Sequence, residues 1–298
     1  FYREEHQESL IATCELFGVN RQVYYRRIQS VKRRKSRAVQ VIELVESVRL
    51  KMPKVGTRKL YFMLEDDLKL LHVGRDMLFR ILRANHMLIH PKRRYHITTN
   101  SHHRFRKHKN LIENVVPEQP EQIWVSDITY VGNRQNPMYL ALVTDAYSKQ
   151  IMGHDLSNSL DVSGSLRALK MAMKKRIYKT NVVTHHSDRG FQYCSNEYQK
   201  LLKHSKINCS MTESYDPYAN AVAERINGIL KGEFIGYKNK CSLNTMEKLI
   251  KNSIEIYNEI RPHYSCFYKT PKQMHQQNEI KIKTYKNKYP SKHVFTGI

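Results

Sequence analysis

The sequence predicts an α/β protein: a mixed five-stranded sheet with flanking helices, preceded by an all-α region that looks like helix-turn-helix. Three observations predict it. Residues 5–90 carry apolar positions at helical spacing. From residue 123 the pattern changes to β-branched and aromatic stretches separated by turn residues. After three such strands, capped amphipathic helices alternate with two more short strands.

In chain order, "ESLIATCELFG" has helical spacing and Gly18 can end that helix; "VN" then caps a second helix, "RQVYYRRIQ". Residues 1–31 thus have the outline of a helix-turn-helix whose second helix would present Arg21, Tyr24, Arg26 and Arg27 to DNA. An ordinary basic helical hairpin fits the same residues. The run "KRRKSR" (32–37) reads as a solvated linker, or as a strip lying along phosphates. Residues 38–90 form a second helical unit: "AVQVIELVESVRLKM" ended by Pro53, then "GTRKLYFMLEDDLKL" with Arg58 and Lys59, then the turn "LHVGRD", then "DMLFRILRANHML". This is a second helix-turn-helix-like unit, with Arg75, Arg80 and Arg83 as its candidate DNA contacts. Residues 91–119 read as a basic interdomain linker, with Lys92, Arg93, Arg94, Arg104 and Arg106 available to phosphates.

The segment 120–275 holds the sheet. "IWVSDITYV" (123–131), "MYLALVTDAYS" (138–148) and "IMGHDLS" (151–157), separated by Gly132-Asn133 and Asn136-Pro137, predict an antiparallel meander. "SLDVSGSLRALKMAMKKRI" is a capped amphipathic helix, with Ser159 or Asp161 near its start and Lys174, Lys175 and Arg176 at its end. "NVVTHHSD" is strand four, "SNEYQKLLKHSK" a helix, and "INCSMT" strand five. A helix from about Ala219 and a long one through "TMEKLIKNSIEIYNEI" complete the order β-β-β-α-β-α-β-α-α. Residues 276–298 are a basic tail.

The formal net charge is +24 in 298 residues, and the pI is near 9.8. Such a balance argues for a polyanionic partner, with nucleic acid the commonest. Residues 1–110 hold 25 Lys and Arg against 10 Asp and Glu, so the first third is the denser cationic surface. No run is long and apolar enough to span a bilayer and no signal peptide is visible, which argues against a membrane partner. The start at Phe1 suggests a processed or trimmed chain. Cys14, Cys194, Cys209, Cys241 and Cys266 have no C-x-x-C spacing, which points to reduced thiols in the cytosol and away from a disulfide frame or zinc site.

Three acids on three elements carry the chemistry. Asp127 lies on strand one, Asp188 ends strand four, and Glu224 lies on the helix after strand five; 60 residues separate the first two and 35 the last two. Phosphodiester chemistry needs an activated oxygen nucleophile and a stabilised oxygen leaving group in line across phosphorus. Two divalent ions roughly 4 Å apart serve both. Mg²⁺ takes hard oxygen ligands and keeps several waters, so a few carboxylates suffice. On the helix, Asn220, Glu224, Asn227 and Lys231 fall at i−4, i, i+3 and i+7 and share a face, with Lys231 placed for a phosphate. Asp145, ending strand two, is the decoy: a supporting acid or a turn residue. Asp155, Asp161, Glu197, Glu213 and Asp216 read as structural.

"WVSDITYV", "THHSDRGFQYCSNEY", "YDPYANAVAERINGILKGE" and "YNEIRPHYSCFYKTP" occur in order over about residues 120–275. Together they resemble the integrase catalytic core of IS3-type insertion-sequence transposases, which is related to retroviral integrases. The first hundred residues resemble that family's helix-turn-helix regions, with "VGTRKLYFML" at the position of its "YGYRRI". The segment "ESYDPYANA", with Pro217-Tyr218, departs from the family's usual loop. "IRPH" (Arg261, Pro262, His263) also matches and is read as a basic exit from the last helix.

The resemblance implies an RNase H-like fold and a DDE triad of Asp127, Asp188 and Glu224, holding two Mg²⁺ for which Mn²⁺ can substitute. It implies cleavage and strand transfer at the inverted-repeat ends of an element in double-stranded DNA, by a homo-oligomer that is at least a dimer. The expected location is the bacterial cytoplasm, in association with the nucleoid. His186, Arg189 and Gln192 would face the scissile phosphate or flanking DNA, although strand-end hydrogen bonding accounts for the histidines equally well. Two alternatives remain: an RNase H-fold nuclease that only hydrolyses, and a catalytically inactive DNA-binding regulator.

Overall fold

The computed structural model describes residues 5–89, 108–132, 137–212, 220–236 and 241–282. Two compact units divide the chain between His90 and Pro91.

The first unit is helical: α1 (Leu10–Leu16), α2 (Arg21–Lys51), α3 (Thr57–Met63), α4 (Glu65–Leu70) and α5 (Arg75–Ala84). Gly18 takes a left-handed φ of +63° after α1. The Asn20 carboxamide oxygen accepts the Gln22 backbone N–H at 2.8 Å, capping α2. Lys32–Arg37 is not a linker, as the charge run suggested; it lies inside the 31-residue α2. The run contains neither Gly nor Pro, and Arg and Lys are good helix formers, so nothing stops the helix. No residue between Arg21 and Gln40 is buried. Apart from Cys14 of α1, the core of this unit lies further along, with Val41, Val45, Met52, Leu60, Leu68, Leu78 and Leu82. The single helix expected over 57–70 is two short ones meeting at Leu64.

The second unit contains β1 (Ile123–Gly132), β2 (Pro137–Asp145), β3 (Ile151–Ser157), α6 (Val162–Lys174), β4 (Thr184–Ser187), α7 (Phe191–Cys194), α8 (Asn196–His204) and β5 (Asn208–Met211). These are followed by α9 (Ala221–Ile229), a π-helical continuation (Leu230–Ile235), α10 (Leu243–Glu259), a 3₁₀ turn (Tyr264–Cys266) and α11 (Pro271–His275). The sheet order is β3-β2-β1-β4-β5. The first three strands are an antiparallel meander, whereas β4 and β5 join in parallel. No described helix is long and apolar enough to cross a membrane.

Alternation along β1 decides what lies on each face. Trp124 packs with Ala168, Leu169, Tyr198 and Leu202, under α6 and α8. Ile123 and Val125 face the other way, against Ala223 of α9. Period two therefore carries Asp127 onto the α9 side. β3 approaches α6 so closely at Gly153 that an added Cβ would run into the Ala168 carbonyl.

Asp145 belongs to this framework. Its Oδ1 accepts the Ser148 backbone N–H and hydroxyl at 2.7 Å each, and its Oδ2 accepts the Glu121 backbone N–H at 2.7 Å. Arg176 donates to Glu121 at 3.0 Å, and His275 of α11 lies 3.4 Å from Glu121. The cluster, fully buried but for Arg176, fastens α11 to the beginning of β1 and the end of β2.

Candidate active site

Asp127 lies on β1 and Asp188 one residue past the end of the neighbouring parallel strand β4. Val125 pairs with His186, and each aspartate lies two residues further on. Gly190 donates its backbone N–H to Asp188 Oδ1 at 3.0 Å. A Cβ at Gly190 would sit 2.9 Å from that oxygen, so the tight turn needs glycine to seat the carboxylate.

The α9 helix is fixed to β1 by three side chains at helical spacing. Asn220 donates to the Ser126 carbonyl at 3.0 Å, Asn227 to Asp127 Oδ2 at 2.7 Å, and Lys231 to Thr129 Oγ1 at 2.8 Å. Asn220 and Asn227 are buried, and the carboxamide oxygen of each has no hydrogen-bond partner among the described residues. Glu224 occupies the same helix face and is exposed.

The electrostatics show how crowded these acids are. Burial first, then the Asp188 charge, push the Asp127 carboxyl up to about 7; the bonds from Asn227 and Ile128 N–H pull the other way, and Glu224 adds a smaller upward push. Burial also raises Glu224. Burial lowers Lys231, partly offset by Asp127. Negative charge is thus concentrated where desolvation opposes it, a situation that a divalent cation relieves. Among the described residues no three His, Cys, Asp or Glu side chains form a group able to hold a metal ion. The carboxylates interact through their charges without closing a cage.

Other residues singled out from sequence have different places. His186 is fully buried and its Nδ1 meets Ser210 Oγ at 2.8 Å. Gln192 is buried and donates to the Leu160 carbonyl at 2.7 Å. Neither side chain is exposed, and the strand-end alternative describes the hydrogen bonding of His186. Its neighbour His185 lies deeper, against Ser126 Oγ at 2.8 Å and Tyr198 OH at 2.9 Å. Arg189 is half-buried. Arg261 is no basic exit: it is only 2% exposed and paired with Glu233. In the helical unit Arg21, Arg26, Arg27, Arg58, Arg75, Arg80 and Arg83 are exposed, Tyr24 and Lys59 half-buried. Arg75 pairs with Asp76 at 2.9 Å. Lys92, Arg93, Arg94, Arg104 and Arg106 lie outside the described residues. Sequence reading missed Thr129, although its place two residues beyond Asp127 on the same strand face signals it.

The sheet is ordered 3-2-1-4-5, antiparallel across its first three strands and parallel beyond, as in an RNase H-like integrase core; Asp127 lies midway along β1 and Asp188 one residue past β4. Two family profiles, each described as "Integrase core domain", match residues 117–217 and 205–271. An "Insertion element IS600 uncharacterized 31 kDa protein" of Shigella sonnei is 31% identical over 84% of this chain and 92% of its own length. "Transposase InsF for insertion sequence IS3fB" of Escherichia coli K12 is 36% identical over 57% of this chain and 59% of that protein. The HTLV-2 integrase catalytic core domain, solved in complex with magnesium, aligns over 53% of this chain and 97% of its own, at 18% identity and a TM-score of 0.41. The chain belongs to the IS3-type transposases of insertion sequences.

Proposed function

We propose that this chain binds the inverted-repeat ends of an insertion sequence and, with divalent metal, cuts and joins DNA strands there through Asp127, Asp188 and Glu224. The observation that supports the reading is the parallel register of β1 and β4, with Val125 opposite His186 two residues before each aspartate, together with the Asn227–Asp127 bond that ties the glutamate-bearing helix to β1. Bound Mg²⁺, or Mn²⁺ in its place, supplies an activated oxygen nucleophile and a stabilised oxygen leaving group, two ions per site serving the two sides of the phosphorus. Asp127, Asp188 and Glu224 would hold those ions; Asn227 orients the Asp127 carboxylate for its share. Lys231, two turns from Glu224, lies within reach of a phosphate oxygen once it exchanges Thr129 for DNA. Hydrolysis first frees a 3′-OH at an element end; that 3′-OH then attacks a second phosphodiester, forming a new P–O bond as the attacked strand's own 3′-oxygen leaves and takes up a proton.

Arg21, Tyr24, Arg26, Arg27, Arg58, Lys59, Arg75, Arg80 and Arg83 of the helical unit, with the basic segment beyond it, bind the ends mainly through phosphates. Asn220 and Arg189 flank the reacting strand. Two ends must be held for joining, so the active form is at least a dimer acting on double-stranded DNA in the bacterial cytoplasm.

The test uses the full chain with a labelled inverted-repeat end. Asp188→Asn abolishes both cleavage of an uncut end and joining of a pre-cut end, while end binding stays within about twofold. An Asp188→Asn protein that still joins strands removes the catalytic assignment. A wild type that cleaves but never joins a pre-cut end supports the hydrolytic alternative.

A further inference from the structure

The C-terminal end of α9, which Lys231 ties to β1, has a second anchor. Past Ile229 the helix widens into a π-helical turn over Leu230–Ile235, closed by Gly236 at φ +61°. That winding turns Glu233 toward the exit of α10. There Arg261 donates from Nε to Glu233 Oε2 at 2.7 Å and from Nη2 to Oε1 at 2.8 Å. The guanidinium is 2% exposed and lies 5.6 Å from the centre of the Tyr257 ring, whose hydroxyl bonds the Lys149 carbonyl at 2.9 Å. A two-pronged arginine–carboxylate pair held on an aromatic face fixes rotation as well as distance. Phe234 and Ile235 are buried beside it. A π turn costs regular hydrogen bonding and recurs near functional sites, so its presence on this helix calls for a cause.

Glu224 is exposed, so its aim depends on how the helix as a whole is rotated. Asn220, Asn227 and Lys231 tie one face to β1. Glu233 lies nine residues beyond Glu224, where a small rotation of the helix end changes where the glutamate points. We infer that Arg261 and Glu233 are positioning residues, which lock the rotation of α9 through its π turn and so hold Glu224 in line with Asp127 and Asp188. The inference rests on the proposed role of those three acids.

Removing one partner leaves a buried charge and can unfold the chain, whereas an apolar replacement of the whole pair generally preserves the fold. The decisive variant is therefore Arg261→Met combined with Glu233→Leu. Arg261→Lys is the second: it keeps the charges paired and gives up the two-pronged geometry. Full-length proteins are compared for melting temperature, Mn²⁺ binding by calorimetry without DNA, and single-turnover joining of a pre-cut end. Positioning predicts that the double variant melts within a few degrees of wild type, binds Mn²⁺ at least threefold more weakly and joins at least tenfold more slowly, with end binding unchanged. It predicts an intermediate loss for Arg261→Lys. Either variant joining and binding Mn²⁺ within twofold of wild type overturns it, and so does a double variant too unstable to fold combined with a fully active Arg261→Lys. A wild type that binds Mn²⁺ but joins nothing refutes the proposed function, while the calorimetric comparison still judges the positioning.

Discussion

His275 shows at the scale of one residue how a buried charge becomes a condition of stability. Burial pulls its pKa down, but hydrogen bonds to Asp145 and Glu121, and their charges, outweigh that and raise it to about 9. A folded value above the ordinary 6.5 means that protonation favours the fold. The contribution is complete below about pH 6.5 and is lost as pH climbs through 9. Melting of the wild type should drop between pH 6.5 and 9.5, and the drop should be clearly smaller in His275→Gln; equal slopes would show that this histidine is not charged in the fold. Phe267 presents the opposite case, a residue its backbone does not suit. It sits at φ +54°, beside Tyr268 at φ +62°, and its side chain is exposed. A left-handed conformation costs a non-glycine residue about 1–2 kcal/mol, part of which glycine repays through the freer unfolded chain. Phe267→Gly should therefore raise stability by roughly 0.5–1 kcal/mol in urea unfolding. A loss of stability would mean that the ring contributes more than the backbone strain removes.

At the scale of elements, the strands were legible because each is an apolar or β-branched run bounded by turn residues, and β1 to β5 fall where those runs lie. Helices were legible where caps punctuate them: Asn20 before α2, Ser195 before α8 and Ser242 before α10 all accept a backbone N–H. What the local pattern did not reveal has physical causes. Lys32–Arg37 reads as a break only if charge is taken for a breaker. The four-residue α7 is too short for periodicity. The π turn has the partner of its Glu233 in Arg261, distant in sequence. The burial of His186 and Gln192 follows from neighbours, Ser210 and Leu160, that no local window contains. Gly153 exemplifies such tertiary demand. An added methyl would meet backbone atoms of α6, which cannot swing aside, so Gly153→Ala should cost about 1–3 kcal/mol in the same urea experiment. Unchanged stability would mean that α6 lies further from β3.

At the scale of the whole molecule, composition and order say most. A net charge of +24 over an all-α unit and an integrase core fits an enzyme that grips one polyanion and reacts with it. The elements that carry the three proposed acids were legible because strand runs and helix faces follow from spacing; Asn227 and Lys231 share the face the i+3 and i+7 positions require. Their partners were not, since Asp127 and Thr129 lie about a hundred residues earlier in the chain. Manganese resonance spectroscopy of the full chain bound to a pre-cut DNA end tests the central claim most directly. Two spin-coupled Mn²⁺ per site are predicted for the wild type, and loss of the coupled pair in each of Asp127→Asn, Asp188→Asn and Glu224→Gln. A coupled pair that survives any one of these replacements, or a wild type that binds DNA and never takes up two ions, would contradict it.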